Sequence, residues 1–300
     1  MLAIYRKYRP KTLSEVLGQD AVVEILQNAG QLDRLAHAYL FFGPRGSGKT
    51  TVARLIAKIA NCETRQQDEK FKKQGEPCNK CRPCKEIDNG LALDVVEIDA
   101  ASNRGIDEIR DLKEGIRLSP TSYKYKGFII DEVHQLTPAA FNALLKTLEE
   151  PPGHAIFVLA TTDYEKLPAT ITSRTQKFHF KKLPLIKILE KLKSISKTEK
   201  FKIQDDALEL IASAAEGSFR DAESLLDQIA SLTTQINADD TQINADTKTQ
   251  MDADDIQINA DILRKSALNQ RESAISAEDV EKILGRIGFS VQFVQRREIG

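Results

Sequence analysis

Apolar residues gather in short runs in the first half of the chain and spread to helical spacing in the second. Tyr39-Leu40-Phe41-Phe42, the centre of "DVVEIDAAS" (94–102), Phe128-Ile129-Ile130 and the centre of "HAIFVLATTD" (154–163) are such runs, each bounded by polar or turn residues. Runs of this length read as buried strands. Val52, Leu55, Ile56 and Ile59 recur at helical spacing between the first two. Short strands alternating with helices predict a parallel sheet in an α/β domain. Further on, Leu185, Ile188, Leu189 and Leu192 share one helical face. "DDALELIASAAEG" opens on acidic capping residues and stops at Gly217, and "SFRDAESLLDQIASL" predicts another helix. The second region is therefore a small helical bundle.

Residues 233–272 break the pattern. A unit close to Thr-Gln-Ile-Asn-Ala-Asp repeats about four times there, acidic and without aromatics. One large apolar position per unit is too few for a coiled-coil seam. Stacked strands would need more copies. The segment reads as a flexible insertion between helices.

The length of 300 residues suggests roughly two domains. Lys+Arg and Asp+Glu nearly cancel, at 43 and 44, so any nucleic-acid contact must come from a local patch. No apolar run approaches the ~20 residues a membrane helix needs. The basic N-terminus lacks the apolar stretch of a signal peptide. A cytoplasmic, non-membrane protein is expected, in a compartment where disulfides do not persist. That changes the meaning of "EPCNKCRPCKE". Cys78, Cys81 and Cys84 fall within seven residues, and Cys62 precedes them by fifteen intervening positions. Such spacing suits a closed, structural four-thiolate zinc site. The competing reading is four free thiols. No histidine lies close enough in sequence to suggest a cysteine nucleophile.

"GPRGSGKT" fits G-x4-G-K-[ST] and sits between a predicted strand and a predicted helix, the context that gives the motif meaning. Gly43, Gly46, Ser47, Gly48, Lys49, Thr50 and Thr51 are the candidate phosphate-binding residues of an ATP site. Lys49 is placed to reach the β- and γ-phosphates, and Thr50 to ligate Mg²⁺. The strand of "KGFIIDEVHQLT" ends in Asp131-Glu132. Asp131 is the candidate second Mg²⁺ residue and Glu132 the candidate general base. Thr161, Thr162 and Asp163 end a third strand, where a hydroxyl can meet the γ-phosphate or simply cap a helix. The four histidines, 37, 134, 154 and 179, have no metal spacing among themselves and read as structural or surface residues.

Several segments together resemble one family. "YRKYRPKTLSEVLGQDAVVEIL", the phosphate-loop segment, the cysteine cluster, "EIDAASNRGIDEIRDL", "IIDEVHQLTPAAFNALLKTLEEPP", "ATTDYEKLPATITSRTQKFHF" and "GSFRDAESLLDQ" occur in the order found in the gamma/tau subunits of bacterial DNA polymerase III. These are the AAA+ ATPases of the clamp loader. The resemblance spans roughly residues 3–231 and resumes at "ISAEDVEKILG".

The resemblance implies an AAA+ P-loop NTPase with a parallel five-stranded sheet, an inserted zinc module and a helical lid. The nucleotide-binding domain is expected at 1–180, with the module at about 61–90. The lid is expected at 181–232 and 273–287, and the start of a truncated collar, or a tail, at 288–300. By the same resemblance Tyr8, Arg9, Pro10, Val16 and Gln19 border the adenine, and Thr162 is the sensor 1 residue. Arg174 of "SRT" is the arginine finger towards a neighbour's ATP, and Thr175 stands where the family has Cys. On sequence alone Arg174 is a surface ion-pair residue. Arg220 is the sensor 2 arginine, otherwise only a charge on a helix. Ser102, Asn103, Arg104 and Arg110 are candidate DNA-backbone contacts, or else an ordinary solvated helix start. The implied partners are other clamp-loader subunits in a hetero-oligomeric ring, the sliding clamp and primed DNA. Two alternatives are a branch-migration motor and a non-hydrolysing scaffold subunit. The zinc cluster and Ser-Arg-Thr oppose the first, and the intact phosphate loop opposes the second.

Overall fold

The computed structural model describes residues 3–103, 112, 114–231 and 274–286. Arg104, Arg110, the 233–272 repeat and the 288–300 tail lie outside the described residues. Arg9–Leu183 form one compact unit. Its strands are β1 (Ala38–Phe42), β2 (Val95–Asp99), β3 (Lys126–Asp131), β4 (Ala155–Thr161) and β5 (Gln176–His179). They make one sheet in the order β2-β3-β4-β1-β5, every pairing parallel. β1 lies beside β4 with Phe42 opposite Thr161, and β3 lies beside β2 with Asp131 opposite Asp99.

The apolar runs are continuous because both faces of the sheet are covered. Alternate side chains part to opposite faces. Leu40, Phe128, Ile130, Phe157 and Leu159 join Phe141, Leu144 and Leu148 of the helix Pro138–Glu149 on one side. Tyr39, Phe41, Ile129, Ile156, Val158 and Phe178 join Val52, Leu55, Ile56 and Ile59, with Leu13, Val22 and Leu26, on the other. Only Phe178 is buried in β5, so that strand has no apolar run to betray it.

In chain order the α-helices of this unit with both ends described are α2 (Asp20–Gln31), α3 (Lys49–Asn61), α4 (Glu63–Gln67), α5 (Glu69–Lys72), α6 (Arg82–Asn89), α7 (Pro138–Glu149) and α8 (Ala169–Thr172). α7 begins at a Thr137 cap, whose hydroxyl accepts from Ala140 N, with Pro138 in the first turn.

The second unit contains α1 (Ile4–Lys7), α9 (Leu185–Glu199), α10 (Asp205–Ala214), α11 (219–231) and α12 (Ala277–Arg286). Ile188, Leu192, Ile195, Leu208, Ile211, Leu226, Ile229 and Val280 are buried in it. Ser218 Oγ accepts from Asp221 N at 3.2 Å, and Ser276 exchanges hydrogen bonds with Asp279, capping α11 and α12. The described residues up to Tyr8 belong to this unit, and its main span opens at Pro184. The sequence reading had placed 1–180 in the nucleotide domain. Partner chemistry explains the difference. Ile4 is buried, its N–H points to Asp227 Oδ2 at 3.4 Å, and both Lys7 Nζ and the Tyr8 hydroxyl donate to Glu199.

Candidate functional site

Three strand ends converge at the carboxyl edge of the sheet, the place where open α/β sheets bind ligands. β1 runs into the loop 43–48. Gly43, Gly46 and Gly48 there have φ of 144°, 71° and 100°. At Gly43 a Cβ would lie 2.1 Å from Phe180 O, so no side chain fits where β1 passes the end of β5. α3 starts at Lys49, presenting its first N–H groups to the loop. Lys49 is 6% exposed, and its Nζ donates to Gly43 O and Pro44 O, both at 2.9 Å. Burial pulls its pKa below the ordinary lysine value, while the Glu132 and Asp131 carboxylates oppose that shift. Ser47 Oγ donates to Pro44 O at 2.7 Å.

β3 delivers Asp131 beside the loop, and Thr50 Oγ1 donates to Asp131 Oδ2 at 2.7 Å. Glu132 follows in left-handed backbone, φ 46° and ψ 43°, and its N–H bonds Asp131 Oδ1. The Glu132 carboxylate thereby turns towards β4. There Thr162 donates both its N–H (3.1 Å) and its hydroxyl (2.8 Å) to Glu132 Oε2. The structure thus brings Lys49, Thr50, Asp131, Glu132 and Thr162 together.

His134 joins them, although its sequence reading was structural or surface. Its Nδ1 lies 2.9 Å from Thr161 Oγ1 and 3.4 Å from Glu132 Oε2, and Gln135 Nε2 lies 2.8 Å from its Nε2. A 3-10 turn over Val133–Gln135, directly after Asp131-Glu132, places His134 next to Glu132.

Other candidates lie apart from this cluster. Gln19 is 3% exposed, and its amide is spent on the backbone. Nε2 donates to Lys181 O at 2.9 Å, Oε1 accepts from Lys181 N at 3.1 Å, and Ser47 O is 3.5 Å from Nε2. Val16 is buried with Leu13 and Val52, while Arg9, Pro10 and Thr51 are half-buried. Arg174, after α8, pairs with Glu149 at 2.7 Å and donates to Thr170 O at 2.6 Å. Thr175 is buried, its hydroxyl bonding Ile171 O. Tyr8 and Arg220 belong to the helical unit, where the Arg220 guanidinium stands 5.3 Å from the Tyr5 ring centre. Ser102 and Asn103 turn back on Asp99, Ser102 Oγ to Oδ2 at 3.0 Å and Asn103 Nδ2 to the backbone O at 3.1 Å.

The sulfurs of Cys62, Cys78, Cys81 and Cys84 all lie within 4.8 Å of one another. A tetrahedral zinc–thiolate site sets sulfurs about 3.8 Å apart, so the donor set fits the ion. Backbone N–H groups already point at sulfur: Cys78 N at Cys62 Sγ (3.4 Å), Lys80 N and Cys81 N at Cys78 Sγ (3.4 and 3.3 Å). The contact between Cys62 and Cys84 chiefly pulls the Cys62 thiol below its ordinary value and pushes Cys84 above it.

The model for "DNA polymerase III, delta subunit" matches residues 18–184, and that for "DNA polymerase III clamp loader subunit, ATPase lid domain" matches 187–234. DNA polymerase III subunit tau of Bacillus subtilis is 50% identical over 231 residues, 77% of this chain and 40% of that protein. The chain belongs to the gamma/tau family of DNA polymerase III. The tau subunit of Escherichia coli is 48% identical over 223 residues, 74% of this chain and 34% of that protein. The chain therefore spans less than half the length of either tau relative. A solved Thermotoga maritima RuvB, a Holliday junction branch migration motor, shares the AAA+ fold, with a TM-score of 0.60 at 19% identity over 94% of this chain and 74% of its own. No helix among the described residues is long and apolar enough to cross a membrane.

Proposed function

We propose that this chain binds and hydrolyses ATP with Mg²⁺ as a cytoplasmic clamp-loader subunit, and that ATP opens a sliding clamp for loading on primed DNA. The observation that carries the reading is the 2.7 Å contact of Thr50 with Asp131 beneath a glycine loop headed by buried Lys49. Thr50 and Asp131 would hold Mg²⁺, which when bound offsets charge on the phosphate oxygens. Lys49 would exchange its two carbonyl acceptors for phosphate. Glu132 would take the proton of the attacking water, while Thr162 fixes which of its oxygens faces the nucleotide.

Arg174 would serve a neighbouring subunit's ATP, because a guanidinium neutralises γ-phosphate charge and keeps its proton. Arg220 would report the bound state to the helical unit. Tyr8, Arg9, Pro10, Val16 and Gln19 would flank the base. Ser102, Asn103, Arg104 and Arg110 would meet the DNA backbone without reading sequence. The four cysteines would hold a structural Zn²⁺.

ATP hydrolysis by the purified chain tests this, alone and then with the other clamp-loader subunits, clamp and primed DNA. Stimulation that is lost in Glu132→Gln supports it. ATP affinity that is the same in wild type and Lys49→Ala overturns it.

A further inference from the structure

We infer that Glu76 is a positioning residue through which the four-cysteine module sets the segment leading into the nucleotide site, coupling metal affinity to nucleotide affinity. The inference rests on the reading that nucleotide occupies the phosphate loop. Glu76 stands two residues before Cys78 and is 9% exposed. Its carboxylate belongs to the module by sequence, yet it accepts hydrogen bonds from outside it. Oε2 accepts from Leu13 N at 2.7 Å. Oε1 accepts from Ser14 N at 2.8 Å, Ser14 Oγ at 2.7 Å and Gln27 Nε2 at 2.8 Å. One buried anion thus holds residues 13–14 and the middle of α2 together.

The surrounding backbone follows the same course. At Gly75 (φ 71°) a Cβ would lie 2.4 Å from Gln27 O, so the turn before Glu76 lies directly on α2. Arg65 sends Nη2 to Gly30 O at 2.7 Å and Nη1 to Lys72 O at 3.2 Å. Both halves of the excursion from Cys62 to Cys78 therefore grip α2.

From there the connection to the nucleotide loop is short. Leu13 is fully buried beside Val16, Val22 and Val52. Six residues on, Gln19 precedes α2 and spans Lys181 and Ser47 O of the phosphate loop. Pro77 is the single residue between Glu76 and Cys78, and its fixed φ leaves little slack between the carboxylate and a metal ligand. Bound metal closes the loop between Cys62 and Cys78 and so holds Glu76 against Leu13 and Ser14. A carboxylate that moved away would leave two amides without acceptors. Coupling of this kind is reciprocal: nucleotide that orders the segment must tighten the metal.

The test uses the full zinc-loaded chain. Zinc release to a chromogenic chelator is timed with and without MgADP, and amide exchange at Leu13 and Ser14 is read before and after zinc removal. In wild type MgADP slows release by about fivefold or more, the lower end of usual couplings. Glu76→Gln keeps its zinc but loses that difference, as does Ser14→Ala/Gln27→Leu, which leaves the module untouched. Zinc removal speeds exchange at Leu13 and Ser14 while β3 and β4 stay protected. Release unaffected by bound nucleotide overturns the inference. So does exchange at 13–14 unchanged by zinc removal, or exchange that rises equally throughout the sheet. A wild type that binds no nucleotide sinks the proposed function instead, and exchange at 13–14 then decides the positioning role alone.

Discussion

The sheet's carboxyl edge and the cysteine module solve opposite problems with similar residues. At the edge, several polar side chains bond side chains delivered by another element: Thr50 to Asp131, Thr162 to Glu132, His134 beside Thr161. Such bonds can be exchanged for a ligand without exposing backbone. In the module, charged groups spend themselves on main chain: Arg65 on the carbonyls of Gly30, Ile59 and Lys72, Glu76 on two amides. Those bonds cannot be released without orphaning buried groups. The edge is organised for exchange of partners and the module for permanence.

Four substitutions probe that contrast. Glu132→Gln should lower kcat by roughly 10²–10⁴ while leaving urea unfolding within about 0.5 kcal/mol of wild type. A large stability loss there would break the contrast. Arg65→Met should cost about 3 kcal/mol of unfolding free energy, because three carbonyls lose a buried donor. Midpoints unchanged in urea would show that the module tolerates orphaned backbone.

Thr162→Val should reduce kcat up to about tenfold, the worth of one hydrogen bond, with little change in nucleotide affinity. Single-turnover kinetics separate the two. Asp33→Asn should matter least. Lys72, 3.0 Å away, holds the Asp33 carboxyl below its ordinary value of 3.8. A depressed carboxylate stabilises the fold above its unfolded pKa, and that contribution fades as pH falls through the folded one. The pair is half-exposed, so solvent screening limits it to under about 1 kcal/mol. Thermal melts of wild type and variant should differ slightly at pH 7 and converge as pH falls through the lowered folded-state value.

The strands around the phosphate loop were legible because a sheet covered on both faces needs unbroken apolar runs, and the loop's glycines fall at fixed offsets between strand and helix. β5 was not legible from pattern, since one buried residue in four makes no run. Strand order also leaves no trace in periodicity. His134 reads from sequence as structural or surface because its contact with Thr161, itself a strand-end candidate, depends on β3 and β4 being neighbours. Glu76 sits in a polar stretch, where nothing local marks its carboxylate as buried. Residues 3–8 read as the start of the nucleotide domain, yet their partners Asp227 and Glu199 are more than 190 positions away.

Arg174 already has an anion. Glu149 sits 2.7 Å from its guanidinium, and anything else that recruits this arginine competes with that carboxylate. A rival with a single negative charge has no advantage over a partner on the same chain. A rival that concentrates several charges, as a triphosphate does, gains on every one of them. Under the proposed function, the intramolecular pair would work as a threshold, setting how much negative charge a neighbour must present before the arginine changes allegiance.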